Sequence, residues 1–247
     1  MLYAVSRGLW SFTGRYFGRS MWVLLALIGV PVHELSHAVA FLLTGAGVQK
    51  IVLFAPRGLP EYDGATGVVV PARRPSAFSR LVASIAPFFG CSLAAWLVLR
   101  LLLPASVFVP ISFPTAGSGI SLRVLLDVLV AYLEGMLGAF ARLQWSDWRT
   151  YLTLYLVASL GMGAAPSRED FRRFFPALIG LFVLLLPVFA LLQLFADPAR
   201  IFSRLQSLLS GVLIPIGSAL SYATVFALLV LLALVVLAIP RVLFGRR

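Results

Sequence analysis

The chain of 247 residues is 61% hydrophobic and only 12% charged, and its formal net charge is +11. Soluble globular domains carry roughly 25% charged residues, so this composition excludes an ordinary soluble protein and indicates a membrane protein in contact with the lipid bilayer. The positive charge alone would suggest nucleic-acid binding, but the arginines are scattered near the ends of apolar runs, where they reach lipid headgroups, and we expect no nucleic-acid partner.

The N-terminal segment 1–20 mixes aromatic residues with Arg7, Arg15 and Arg19. It has neither the apolar core nor the small-residue cleavage site of a signal peptide. An amphipathic segment of this kind lies along a membrane surface, so we predict an interfacial entry segment.

Six apolar segments approach the length of about 20 residues that a membrane-spanning helix requires. The sequence therefore predicts an all-α polytopic protein with about six transmembrane helices, forming one transmembrane domain over residues 1–247 of a prokaryotic cell membrane. The amphipathic stretch 201–216 is predicted to be an interfacial helix before the last span. The predicted spans are 21–44, 79–103, 121–141, 149–165, 174–196 and 219–243.

The first predicted span contains the sequence HELSH, which includes the only two histidines of the chain, His33 and His37. Residues four apart lie on the same face of a helix, so both imidazoles can bind one metal ion. In this HExxH arrangement Zn²⁺ activates a water and the glutamate, here Glu34, acts as general base. Histidines satisfied only by hydrogen bonds are the simpler interpretation, but ionisable groups inside a membrane are costly and usually functional. Pro31 is predicted to kink this span beside the site.

Residues 46–78 follow the HELSH helix directly and contain two β-prone runs, KIVLF and TGVVV, around a stretch rich in proline and glycine. This pattern predicts a small β-hairpin after the first span. Two interpretations remain open: a connecting loop, and a functional hairpin that turns toward the zinc site.

A catalytic zinc ion takes three protein ligands, and without a third histidine or a second cysteine the third ligand is expected to be a carboxylate. Asp147 lies between predicted spans and is expected to be solvated. Asp127 and Glu134 share a helix face, and either could reach the site or pair with an arginine. Asp170 follows GMGAAP, a predicted helix break, and stands where a carboxylate can also cap a helix.

The HELSH helix, the hairpin loop and the span SRLVASIAPFFGCSLAAWLVL together resemble the site-2 protease class of intramembrane zinc metalloproteases, most closely its short bacterial and archaeal relatives. The resemblance covers 21–103 and resumes over 146–171. In that class the third ligand is an aspartate of a later helix, usually within Leu-Asp-Gly. This chain has Leu-Glu-Gly at 133–135 instead, and its Pro-Ser-x-x-Asp stretch resembles the third-ligand region of the short relatives. The resemblance implies Asp170 as the third ligand, with Glu134 as the alternative.

The resemblance also implies how a substrate is held. A helical substrate must unwind before cleavage, because its peptide groups are bonded to each other. The edge of a hairpin strand could then bind the unwound segment by strand addition. The candidate substrate-binding residues are Ile51, Val52, Leu53, Phe54, Gly67, Val68, Val69 and Val70.

The predicted function is that of a zinc-dependent intramembrane endopeptidase, with another membrane protein or a membrane-anchored peptide as substrate. The alternative is a non-catalytic structural or assembly subunit of a larger membrane complex that keeps a metalloprotease-like fold. A transporter with a histidine gate is a third hypothesis, which the lack of paired inverted repeats disfavours.

Overall fold

The computed structural model describes residues 16–62, 64–104 and 122–164, together with scattered positions between 170 and 236. This part of the chain forms five α-helices and one two-stranded sheet. The elements are α1 (Gly18–Ala26), α2 (Gly29–Leu43), β1 (Val48–Val52), β2 (Val68–Pro71), α3 (Ala77–Leu102), α4 (Leu122–Ala141) and α5 (Trp148–Ala164).

The prediction of about six transmembrane helices is wrong. Within the described ranges, α3 alone is long and apolar enough to cross a membrane by itself, and α1 and α2 qualify only if the bent pair counts as one span. Helix α5 has 17 residues, fewer than the roughly 20 that a span requires. Helix α4 carries Arg123, Asp127 and Glu134. A multi-pass arrangement is therefore not supported.

Several predicted segments lie outside the described residues, apart from scattered positions. They are the spans 174–196 and 219–243, the segment 201–216, and all but the last few residues of 1–20.

The predicted first span is two helices that meet at an angle of 44°. Pro31 lies in the first turn of α2, where a missing N–H is tolerated, rather than in the middle of a continuous helix. Because Pro31 has no N–H to donate to the Leu27 carbonyl, regular α-helical hydrogen bonding cannot run through this point.

Helix α5 supplies the hydrogen bonds that the bend removes. In a continuous helix the Leu25 carbonyl would accept from the Gly29 N–H. Instead the Ser159 hydroxyl lies between them, donating to the Leu25 carbonyl at 2.6 Å and accepting from the Gly29 N–H at 3.0 Å. The Tyr155 hydroxyl donates to the Leu24 carbonyl at 2.7 Å. The bend therefore depends on α5.

The start of α2 and the end of α5 touch backbone to backbone. A Cβ on Gly29 would collide with the Ser159 carbonyl, and a Cβ on Gly163 would collide with the Gly29 carbonyl. Glycine is needed at both positions for this close approach. Helix α5 includes Gly161 and Gly163, and the rest of the predicted break, from Ala165 to Pro166, lies outside the described residues.

The predicted hairpin is present as the antiparallel pair β1–β2, with Ile51 opposite Val69 and Val52 opposite Val68. The chain turns from α2 toward β1 at Gly45, whose φ of 77° is a conformation that glycine adopts without strain.

The hairpin segment is fastened to the helices. Val48 and Val69 pack against the buried side chains of Ala40, Phe41, Ala46 and Ala83. At the far end of the hairpin, Arg19 of α1 donates to the Pro56 carbonyl, with its Nη2 at 2.7 Å. On the exposed side, the hydrogen bond from Lys50 to Glu61 raises the pKa of the lysine ammonium.

Helices α3 and α5 share the largest buried cluster. Ala95 and Leu99 of α3 meet Val157 and Leu160 of α5 there, all between 0% and 1% exposed. Helix α3 begins at Ser76, whose hydroxyl accepts from the Ser79 N–H at 3.1 Å, a typical N-cap. Helices α3 and α5 therefore pack against each other, and α2 packs against both of them.

Replacing Ser159 with alanine should lower the free energy of unfolding by about 1–3 kcal/mol, because the buried Gly29 N–H and Leu25 carbonyl lose their partner. Denaturant unfolding of the purified protein measures this change. Ser92→Ala is the matched control, because Ser92 is equally buried and its hydroxyl donates only to the Phe88 carbonyl within α3. Equal destabilisation by the two substitutions would show that Ser159 does not support the bend.

Candidate metal centre

Helix α2 has one exposed face and one buried face. Leu35 and Val39 are 50% and 46% exposed on the outer face. Glu34 is buried, and the side chains of His33 and His37 are only 12% and 14% exposed. The i, i+4 spacing of the histidines thus turns both imidazoles toward the other helices.

Each imidazole is held by a backbone carbonyl of a different helix. His33 Nδ1 lies 2.6 Å from the carbonyl oxygen of Gly163, and His37 Nδ1 lies 2.9 Å from that of Ala83 in α3. Gly163 lies in α5 and Ala83 lies in α3, so the two imidazoles are bound by two different helices. A carbonyl only accepts hydrogen bonds, so each Nδ1 carries a proton, and Nε2 is the ring atom that can ligate a metal in the neutral imidazole.

The two Nε2 atoms converge on the Asp170 carboxylate. They are 3.1 Å apart, and each is 3.5 Å from an oxygen of Asp170. Two lone pairs that face each other repel unless a cation or a proton lies between them. Charge-assisted hydrogen bonds between nitrogen and carboxylate are typically about 2.7–2.9 Å, shorter than the distances to Asp170.

These spacings fit a zinc ion. Nitrogen ligands about 2.0–2.1 Å from a tetrahedral zinc ion lie about 3.3 Å from each other. Two histidines and a carboxylate are also a common ligand set of catalytic zinc, which leaves the fourth position open. In the part of the chain that the structure describes, His33, His37 and Asp170 form the group able to hold a metal ion.

The other candidate carboxylates lie elsewhere. Asp170 is helical and only 4% exposed, whereas Glu134 and Asp127 are exposed on α4. Asp147 caps α5 by accepting from the Arg149 N–H at 2.9 Å. The structure therefore brings Asp170, and not Glu134, to the histidines, while metal binding itself stays a prediction.

Glu34 lies against the hairpin. It is 9% exposed, and it makes no hydrogen bond or ion pair with another described residue. A Cβ on Gly67 would lie 2.8 Å from Glu34 Oε1, so only glycine leaves room for the carboxylate. A nearly buried carboxylate beside the first histidine of the candidate site suits a general base.

The candidate substrate-binding residues differ in their placement. Val68, Val69 and Val70 belong to β2, Ile51 and Val52 belong to β1, and Gly67 precedes β2 directly. Leu53 and Phe54 lie beyond the end of β1. The Phe54 ring stacks on Trp22 of α1, with centroids 6.3 Å apart. Gly67 is thus the member of this set that reaches Glu34.

Sequence reasoning missed the groups that orient the histidines. The carbonyls of Gly163 and Ala83 carry no signal of their own, because every residue has a carbonyl. The glycines of GMGA were visible, but the sequence alone gives no sign that they allow close contact with Gly29.

Comparison of the chain with models of protein families, with curated proteins and with solved structures gives no match.

Removing a ligand should abolish stoichiometric zinc. We expect His33→Ala, His37→Ala and Asp170→Asn each to lose zinc, because three ligands are the fewest that hold a catalytic ion. Zinc content of the purified variants by mass spectrometry measures this, with Glu134→Gln as the carboxylate control. Full zinc in Asp170→Asn together with loss in Glu134→Gln would reverse the assignment of the third ligand.

The contact between Gly67 and Glu34 predicts a coupled effect on stability. Gly67→Ala should destabilise the protein by about 1–3 kcal/mol, because an added methyl group overpacks the space beside Glu34. In a Glu34→Ala background the same substitution should have little effect, because the colliding side chain is gone. Thermal unfolding of the two single variants and the double variant measures the coupling. Additive effects would contradict the contact.

Proposed function

We propose that this protein is a zinc-dependent endopeptidase that cleaves substrates embedded in a membrane. One observation carries the proposal: both imidazole Nε2 atoms and the buried Asp170 carboxylate converge on one point, within 3.1 to 3.5 Å of each other. The nearly buried carboxylate of Glu34 follows the first of these ligands in sequence.

The residues divide the chemistry between them. His33, His37 and Asp170 would hold the zinc ion, which when bound polarises a peptide carbonyl and acidifies a water molecule. Glu34 accepts a proton from the attacking water and returns it to the leaving amine. The carbonyls that accept from the Nδ1 protons keep both rings in the ligating tautomer.

The surface of the helices supports a location within the bilayer. Helix α3 is long and apolar enough to cross it. Large apolar side chains face outward from α2 and α3, among them Leu42, Leu43 and Leu101, which are 61%, 81% and 78% exposed. Such a surface is unfavourable in water and favourable against lipid. We propose that α3 spans the membrane and that the metal centre opens to a peptide segment in the same bilayer.

The hairpin gives the substrate a place to bind. An unwound segment that pairs with a strand edge has its peptide groups satisfied by the hairpin backbone. Strand β2 begins one residue after Gly67, which lies against Glu34. A segment held along this strand would therefore pass close to the general base. The resemblance to site-2 proteases agrees with this arrangement.

Replacing Glu34 with glutamine should leave stoichiometric zinc but lower the rate of peptide hydrolysis by roughly 10²–10⁴-fold, because an amide cannot take the proton from water. The assay uses purified protein in detergent micelles with fluorogenic peptides that contain one apolar helix. Glu61→Gln is the control, because Glu61 is an exposed carboxylate paired with Lys50.

Two outcomes would contradict the proposal. Full activity in Glu34→Gln would remove Glu34 from the mechanism. Stoichiometric zinc with no hydrolysis by the unaltered protein would favour the alternative, a non-catalytic subunit of a larger membrane complex with a structural metal.

A further inference from the structure

We propose that Pro87 is a positioning residue of the metal centre, which leaves the Ala83 carbonyl free to hold His37. The expected effect of Pro87 on zinc affinity rests on the proposed function. The expected effect of Pro87 on the tautomer of His37 does not depend on whether zinc binds.

Pro87 lies well inside a continuous helix. Helix α3 runs without interruption from Ala77 to Leu102, and Pro87 is the proline within it. In an α-helix the N–H of residue 87 would donate to the carbonyl of residue 83. Proline has no N–H, and its ring also crowds the carbonyl four residues earlier, which tilts that carbonyl away from the helix axis. The Ala83 carbonyl therefore has no partner within α3.

The freed carbonyl has one observed partner, and it is a metal-site residue. The Ala83 oxygen lies 2.9 Å from His37 Nδ1. Without a donor at residue 87, the imidazole N–H takes the place of the missing helical hydrogen bond. The bond places the proton on Nδ1 and leaves Nε2 of His37 directed at His33 Nε2, 3.1 Å away.

The position of Pro87 is hard to explain by helix stability alone. A proline in a helix interior is less favourable than alanine, because it removes a hydrogen bond and crowds the preceding turn. Pro87 is fully buried and α3 continues past it, so the residue does not end the helix. A residue that disfavours its own helix and lies next to a candidate site is expected where function outweighs stability.

The Nδ1 proton of His33 also has a backbone carbonyl as its acceptor, but that carbonyl is provided in another way. Its acceptor is the Gly163 carbonyl in α5, and the range Trp148–Ala164 of that helix contains no proline. The acceptor for His37 lies in the middle of α3, where a free carbonyl requires a residue without an N–H. This difference assigns the role to Pro87 specifically.

The test uses Pro87→Ala, which restores the N–H and favours the helix. Because the chain has only two histidines, selective ¹⁵N-histidine labelling yields an NMR spectrum of only these two imidazoles. In the zinc-free protein we expect both rings to be Nδ1-protonated. In Pro87→Ala we expect His37 to become a mixture of tautomers while His33 is unchanged.

The zinc Kd of Pro87→Ala should rise by roughly 10-fold or more, as is typical when the partner of a ligating histidine is lost, while thermal stability stays equal or rises. A residue with a packing role alone would lower stability and leave the tautomers unchanged. P87S, which restores the same N–H, is the second variant if P87A does not fold. Pro104→Ala, just beyond the end of the same helix, is the control and should leave both readouts unchanged.

An unaltered His37 tautomer in a folded Pro87→Ala or P87S protein would overturn the proposal. If the tautomer changes but neither the unaltered protein nor the variant binds zinc, Pro87 still positions His37, and the proposed metal function is what fails.

Discussion

A backbone carbonyl or N–H that is buried without a partner is costly, and this constraint shapes the whole described structure. Regular helical hydrogen bonding is interrupted at the bend between α1 and α2 and at Pro87 in α3. At each of these points a side chain from another helix forms a hydrogen bond with the backbone group. Ser159 bridges the bend, and the two imidazoles take the carbonyls of Gly163 and Ala83.

The candidate metal centre follows from these pairings. Because each Nδ1 proton is used by a carbonyl, each Nε2 lone pair faces inward and meets the other near Asp170. Helix α5 contributes to both the bend and the centre, since Ser159 supports the start of α2 one turn before Gly163 binds His33. The contact between Gly29 and Gly163 sets the distance at which both bonds can form. The fold and the site are therefore held by the same few residues.

The residues of the candidate metal centre can be predicted from the sequence more easily than the arrangement of the helices. The HExxH spacing depends only on helix geometry, and the hairpin depends on local turn residues, so both could be predicted locally. Asp170 was favoured by the ligand count together with the family resemblance. The number of spans was overestimated because apolar length does not show whether a helix is continuous, and the bend before Pro31 depends on a hydroxyl that is 130 residues away. The carbonyl partners of the imidazoles depend on which helices pack together, which no local pattern reveals.

X-ray absorption spectroscopy at the zinc edge of the purified, zinc-loaded protein tests the metal centre most directly, because it reports the identity of the atoms bound to the ion. We predict two imidazole nitrogens and at least one further oxygen, all at about 2.0–2.1 Å. Sulfur from Cys91 in the coordination shell, or fewer than two imidazoles, would contradict the assignment of His33, His37 and Asp170.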